Sequence, residues 1–201
     1  MTSRTKKTTV VLLSTAVLFA VMCLIYVQTH PLVFNESFLG HAHCINGGGL
    51  GLEGYAHEHG GLYPFHTNGY GDALLLVNDG WDAALTGPGY DTKVFERARR
   101  TGEHAPESEF GRVYVQGLSL TNDPEIALLF DKIPTPGGDH CHLFRRMWAP
   151  LGREVWTIGG DMSFIPESKW PAYAERQVEL LVAAGISRPQ AEKYYSEQTK
   201  K

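Results

Sequence analysis

The chain has few cysteines and none of the short signatures that usually declare an activity. Three cysteines in 201 residues, Cys23, Cys44 and Cys141, allow one disulfide at most. That excludes a small scaffold held by several cross-links. No Gly-Lys-Ser/Thr follows the glycine-rich stretch at 47–54, so it is not a phosphate loop. No G-x-S-x-G and no H-E-x-x-H occurs, which removes the common nucleophile-elbow and zinc-protease patterns. Basic residues are scarce beyond the N-terminus. With Arg4, Lys6 and Lys7 set aside, residues 31–201 hold 15 Lys and Arg against 22 Asp and Glu, a balance of −7. An acidic body without a basic patch argues against nucleic acid as a partner. Internal repeats and low-complexity tracts are absent too. With 43 % apolar and 20 % charged residues, the composition is that of an ordinary folded domain plus an accessory segment.

The accessory segment lies at the start. Val10 to Val27 is a run of eighteen residues without a charge, preceded by all three basic residues of the first thirty. As a helix it spans ~27 Å, close to the ~30 Å hydrocarbon core of a bilayer. It exceeds the usual signal-peptide core, and it ends in Tyr26-Val27-Gln28-Thr29-His30 without a small-residue cleavage site. The run therefore reads as an uncleaved transmembrane signal anchor, with a cleaved signal or a buried core helix as alternatives. The basic flank places residues 1–9 in the cytoplasm and the body outside, single-pass in the inner (cytoplasmic) membrane, with the lipid bilayer as partner through residues 10–27.

Residues 28–43 form a linker with Pro31 near its start. From 44 to 63 the apolar spacing of Ile45, Leu52 and Tyr55/Ala56 suits one helix face, while Gly47, Gly48, Gly49, Gly51 and Gly54 oppose a helix and favour a loop. Short helical patches are expected at 72–78 and 80–85. A helix is expected at 91–101 between an Asp91 cap and Gly102, followed by an acidic loop at 103–110. The pattern then turns to strands at 112–117, 126–130, 154–158 and 162–165. Gly159, Gly160 and Asp161 supply a hairpin turn between the last two. A Pro/Gly/His-rich loop fills 134–152. Helices fill the tail from 166 onwards, the first opened by Pro166-Glu167 and ended by Gly185. The fold class expected is α+β, with helices on a small antiparallel sheet over 44–165 and a helical tail over 166–201.

Two His/Cys clusters are the sharpest chemical feature: His41, His43 and Cys44, and His140, Cys141 and His142. Imidazole and thiolate bind zinc or copper, and alternate residues on an extended strand point to one side. A Cys44–Cys141 disulfide is the competing reading, because a cystine sulfur is no longer a thiolate ligand, and it leaves the chain with no cofactor. His57-Glu58-His59 sits where neighbours on a helix diverge by about 100°, so it reads as a solvated helix end. His66 with Asp72 offers a base and a carboxylate, yet no activated nucleophile stands near them, and a turn at 66–69 is the simpler account. Asp139 could orient His140. Trp148, Trp156 and Trp170 read as core anchors.

Two stretches carry a family resemblance. One is Cys44-Ile45-Asn46, Gly49-Leu50-Gly51-Leu52, Tyr55-Ala56 and His59-Gly60-Gly61-Leu62-Tyr63-Pro64. The other is Arg153-Glu154-Val155-Trp156-Thr157-Ile158-Gly159-Gly160-Asp161-Met162-Ser163-Phe164-Ile165. With the basic tip and apolar run, this order resembles the type IV pilin-like (prepilin-type) proteins of planctomycetes and verrucomicrobia, over residues 8–27, 44–64 and 126–165. The chain departs from that family in having Gly159-Gly160-Asp161 where an Asp-Gly-His turn stands. It also lacks the Gly before the apolar run and the Glu at its fifth residue. The resemblance implies a long N-terminal helix, a pilin-like head, and a structural or interaction role in the bacterial envelope through protein partners or self-assembly. It implies no catalytic residues.

Overall fold

The glycine-rich segment is helical. In a computed structural model, which describes residues 18, 19, 21–23, 44–87, 90–138 and 148–196, α1 spans Ile45–Glu58. Its glycines permit close approach. A Cβ at Gly49 would stand 2.2 Å from the Trp156 ring, one at Gly48 2.9 Å from Leu129, and one at Gly51 2.6 Å from Trp81. The helix-interior cost of glycine is therefore offset by burial that a larger residue would prevent. Ile45, Leu52 and Ala56 are buried on the same helix, while Leu50 is exposed.

Two short helices follow, α2 (Tyr70–Leu74) and α3 (Asp82–Thr86), the latter entered through a 3₁₀ turn at Asp79–Trp81. The amphipathic α4 covers Lys93–Thr101, with Val94, Phe95 and Ala98 buried and left-handed Gly102 ending it. Thr92, rather than Asp91, holds its cap position. Asp91 instead accepts the Lys93 backbone N–H at 3.0 Å.

The strands are β1 (Arg112–Tyr114), β2 (Ala127–Asp131), β3 (Thr135–Pro136), β4 (Leu151–Thr157) and β5 (Met162–Pro166). All pair antiparallel. β2 lies between β1 and β4, β3 continues along β4 from the β2 side, and β5 covers β4's other edge. The β4–β5 hairpin turns through Gly159, Gly160 and Asp161, where Thr157 N–H donates to the Asp161 carbonyl at 3.0 Å. The expected 134–152 loop is thus shorter than its composition suggests. Thr135 and Pro136 pair with Gly152 and Leu151 because the outer end of β4 lies opposite them.

Side chains along β2 alternate between two covered faces. Leu129 meets α1, and its neighbour Phe130 stacks on Tyr195 at 4.9 Å between ring centroids, with Trp170 at 5.5 Å. Those partners lie on the tail helices, α5 (Trp170–Ala183) and α6 (Arg188–Ser196). Cover on both faces accounts for the uninterrupted Ile126-Ala127-Leu128-Leu129-Phe130 run, all of it fully buried. The tail helix begins at Trp170, not at Pro166-Glu167. Pro166 still belongs to β5, and its carbonyl accepts from Lys169 N–H at 2.8 Å. Trp156 and Trp170 are core residues, but Trp148 is 77 % exposed and is not part of the core of the described residues.

Charges are buried inside this sandwich. Arg112 and Asp131 are the first and last members of the β1–β2 register and are essentially inaccessible. Arg112 Nε donates to Asp131 Oδ1 at 3.1 Å, and its guanidinium also reaches the Ala84 carbonyl. The other Asp131 oxygen accepts Glu154 N–H at 3.1 Å. On the opposite face Arg153 grips Glu167 with two 3.1 Å bonds and lies 4.7 Å above the Trp170 ring. These contacts fasten α3 to β1 and α5 to β4.

Among the described residues no helix is long and apolar enough to cross a membrane. Of the expected 10–27 anchor, only residues 18, 19 and 21–23 are described; the rest, with the 1–9 tip and the 28–43 linker, lies outside the described residues.

Candidate functional site

Of the two His/Cys clusters, His41, His43, His140, Cys141 and His142 lie outside the described residues, as does Asp139. Cys44 is buried at the start of α1. Among the described residues no group of three or more His, Cys, Asp or Glu is arranged to hold a metal ion. His57 and His59 end α1 without a shared target. His57 is 3.6 Å from Glu53, and His59 stacks on Tyr55 at 3.7 Å while its Nδ1 meets the Tyr55 carbonyl.

The chemistry gathers elsewhere, around Asp72. His66 begins a turn: its Nδ1 accepts Asn68 N–H at 3.2 Å. That turn delivers the chain into α2, on which Asp72 sits with its side chain inside. Its Oδ1 accepts Ala105 N–H at 2.7 Å; its Oδ2 accepts Asn68 Nδ2 at 2.9 Å and meets His104 Nδ1 at 2.9 Å. His66 Nδ1 stands 3.6 Å from the same oxygen. Burial alone would raise the carboxyl pKa. The hydrogen bonds from Ala105, His104 and Asn68 outweigh it and hold Asp72 below its ordinary 3.8. Residues 66–69 form the expected turn, and Asp72, the carboxylate weighed with His66, also meets a second histidine, 32 residues on. With Nδ1 held by the carboxylate, the His104 ring is oriented and its Nε2 remains for another partner.

His104 lines a cavity of about 490 Å³. Its walls are the 66–69 turn, the 104–107 loop, β1 and α6. Glu107 knits them together. Its carboxylate accepts Tyr70 N–H at 3.1 Å, at the first turn of α2, and lies 3.7 Å from Lys193 Nζ on α6. Its carbonyl accepts Tyr70 OH at 3.2 Å and Lys132 Nζ at 2.9 Å. Gly69 keeps φ +134° there, and a Cβ would stand 2.6 Å from Glu107 Oε1. On the β1 side, buried Gln116 accepts His66 N–H through Oε1 at 3.1 Å, and its own backbone N–H reaches Tyr194 OH at 3.4 Å. Burial pushes the Tyr194 phenol up.

Of these residues only His66, Asp72, Asn68 and Gly69 drew attention in the sequence. His104 and Glu107 sat in what read as an acidic loop, and Gln116, Lys132 and Lys193 carried no local signal. The arrangement offers an oriented imidazole in a mixed polar cavity. Among the described residues no serine or threonine hydroxyl and no cysteine thiol is hydrogen-bonded to that imidazole. Compared with known proteins, the chain matches no family model, no curated protein and no solved structure.

Proposed function

We propose that the chain is a membrane-anchored, pilin-like protein of the bacterial envelope, with a structural or interaction role. One observation carries the reading. The helix that follows the apolar N-terminal run in sequence, α1, lies against β2 and β4 of an antiparallel sheet through glycines that allow near-backbone contact. A pilin-like head is built on such a helix-on-sheet unit, which here follows the anchor after the 28–43 linker. The charge-free run at 10–27, the basic tip and the β4–β5 hairpin support the same reading. Residues 10–27 would hold the bilayer, residues 31–201 would stand on the outer side, and protein partners or further copies would dock there.

The test is fractionation of the full chain expressed in a Gram-negative host. The protein is expected in the inner-membrane fraction, resistant to alkaline extraction, with its body cleaved by protease added to spheroplasts. Deletion of residues 1–30 is expected to release it. A full-length chain recovered in the cytosol overturns the reading. The same preparation resolves Cys44 and Cys141: non-reducing mass spectrometry is expected to find them linked. Stoichiometric zinc or copper lost on His140→Ala would instead make this a metal-binding or redox protein.

A further inference from the structure

We infer that the cavity beside His104 is a binding site for a neutral, hydroxyl-rich ligand, a saccharide of small size. The argument is one of matching charge and hydrogen-bond roles. A volume of about 490 Å³ falls within the ~300–1,000 Å³ of ordinary ligand clefts. An anion fits the lining poorly because the Glu107 carboxylate shares it and Asp72 stands directly behind His104. An organic cation fits poorly because Lys132 and Lys193 share it as well. No described cluster suits a metal ion.

A polyol carries neither charge, and each of its hydroxyls both donates and accepts. The lining supplies both halves of that exchange. His104, held through Nδ1 by Asp72, presents its other ring nitrogen to a hydroxyl partner. Gln116 has its Oε1 committed to His66 N–H, so its side-chain NH₂ is turned to donation. Asn68 donates through Nδ2 to Asp72, leaving its own oxygen as acceptor. Gln190, exposed on α6, donates its amide to the Tyr194 hydroxyl and so adds its own oxygen as an acceptor. Tyr194 and Val113 give the same cavity an apolar surface for the C–H face of a sugar ring. The imidazole here is a fixed recognition group, and Asp72 is a positioning residue that acts through it.

The site draws on five stretches of chain, none of them in the N-terminal run, so its test stands apart from the envelope reading. Full-length protein in a non-glycosidic detergent is titrated, by saturation-transfer NMR and calorimetry, with the methyl glycosides of glucose, galactose, mannose and N-acetylglucosamine, and with maltose, lactose and cellobiose. At least one is expected to bind with a dissociation constant of about 1 mM or tighter. Asn68→Ala and Gln190→Ala, both at exposed positions, are each expected to weaken it about three- to tenfold, with unchanged circular dichroism. Glu175→Ala, outside the cavity, is expected to leave it unchanged. Binding of none of these sugars overturns the inference. So does binding that neither cavity variant alters, or tighter binding of inorganic phosphate or tetramethylammonium.

Discussion

Gly49 of α1 lies flat against the indole of Trp156 on β4, so close that a Cβ at this glycine would sit 2.2 Å from the ring. A Cβ at Gly54, on the same helix, would meet nothing within 4 Å among the described residues. The two positions separate packing from propensity. Gly49→Ala is expected to destabilise the fold by about 1–3 kcal/mol through forced displacement of helix or indole. Gly54→Ala is expected to stabilise it by about 0.5–1 kcal/mol, because only the helix-interior cost of glycine is relieved. Urea denaturation of both variants checks this, and a Gly49→Ala protein as stable as the parent would show that the helix does not need this approach.

The paired charges of β1 and β2 make a different kind of prediction. Arg112 and Asp131 are inaccessible, and each is held by further bonds, to the Ala84 carbonyl and from Glu154 N–H respectively. Asp131→Ala leaves a guanidinium in the core and is expected to cost about 3–5 kcal/mol. The double variant Arg112→Met, Asp131→Leu removes both charges together and is expected to recover much of that loss. Thermal unfolding of the three proteins decides. A double variant worse than Asp131→Ala would mean that the pair holds the register of β1 on β2 beyond its charge balance.

What could be read in the sequence, and what could not, divides along contact distance. The buried strand at 126–130 and the hairpin about Gly159-Gly160-Asp161 announce themselves because their signals are local: an apolar run between turns, and a two-strand pattern around glycines. The helix at 45–58 was half-legible. Its apolar spacing was present, but the glycines that contradicted it are explained only by Trp156 and Trp81, which the helix meets from far along the chain. The Asp72 site was legible on one side alone. His66 and Asn68 share its turn, whereas His104, Glu107, Gln116 and Lys193 come from a loop, the segment after β1 and the last helix, joined by folding and by no spacing rule. Trp148 misled for the related reason that a large aromatic is buried only if a partner surface arrives over it.

Tyr195 carries an unusual deficit. Its ring stacks on Phe130, yet its hydroxyl is buried without a hydrogen-bond partner among the described residues. Burial holds the phenol neutral, well above its ordinary 10. Tyr195→Phe keeps the ring and removes the unsatisfied group, so stability is expected to stay level or rise by up to about 1 kcal/mol. Tyr195→Ala is expected to lose about 3–5 kcal/mol and loosen α6 from the sheet. Chemical denaturation distinguishes them. A marked loss in Tyr195→Phe would reveal a bond to the hydroxyl and refute the deficit.

Asp72 ties the stability of the cavity wall to pH. Its folded pKa lies below the ordinary 3.8, since three hydrogen bonds favour the carboxylate over the opposing effect of burial. The unfolded chain therefore takes up the proton first as pH falls. The stabilisation is complete above the unfolded value and disappears as pH drops through the folded one. Asp72→Asn presents an amide N–H₂ to donors that require an acceptor. It is expected to cost about 1–3 kcal/mol at neutral pH, the price of leaving one buried donor unmatched. That cost should shrink steadily below about pH 4, where the unfolded wild-type chain takes up its proton before the folded carboxylate does. Urea titrations of both proteins across that range give the two stability curves. Curves that remain parallel into the acid region would mean that the carboxylate is not held ionised by Ala105, His104 and Asn68, and the oriented imidazole at the cavity would lose its foundation.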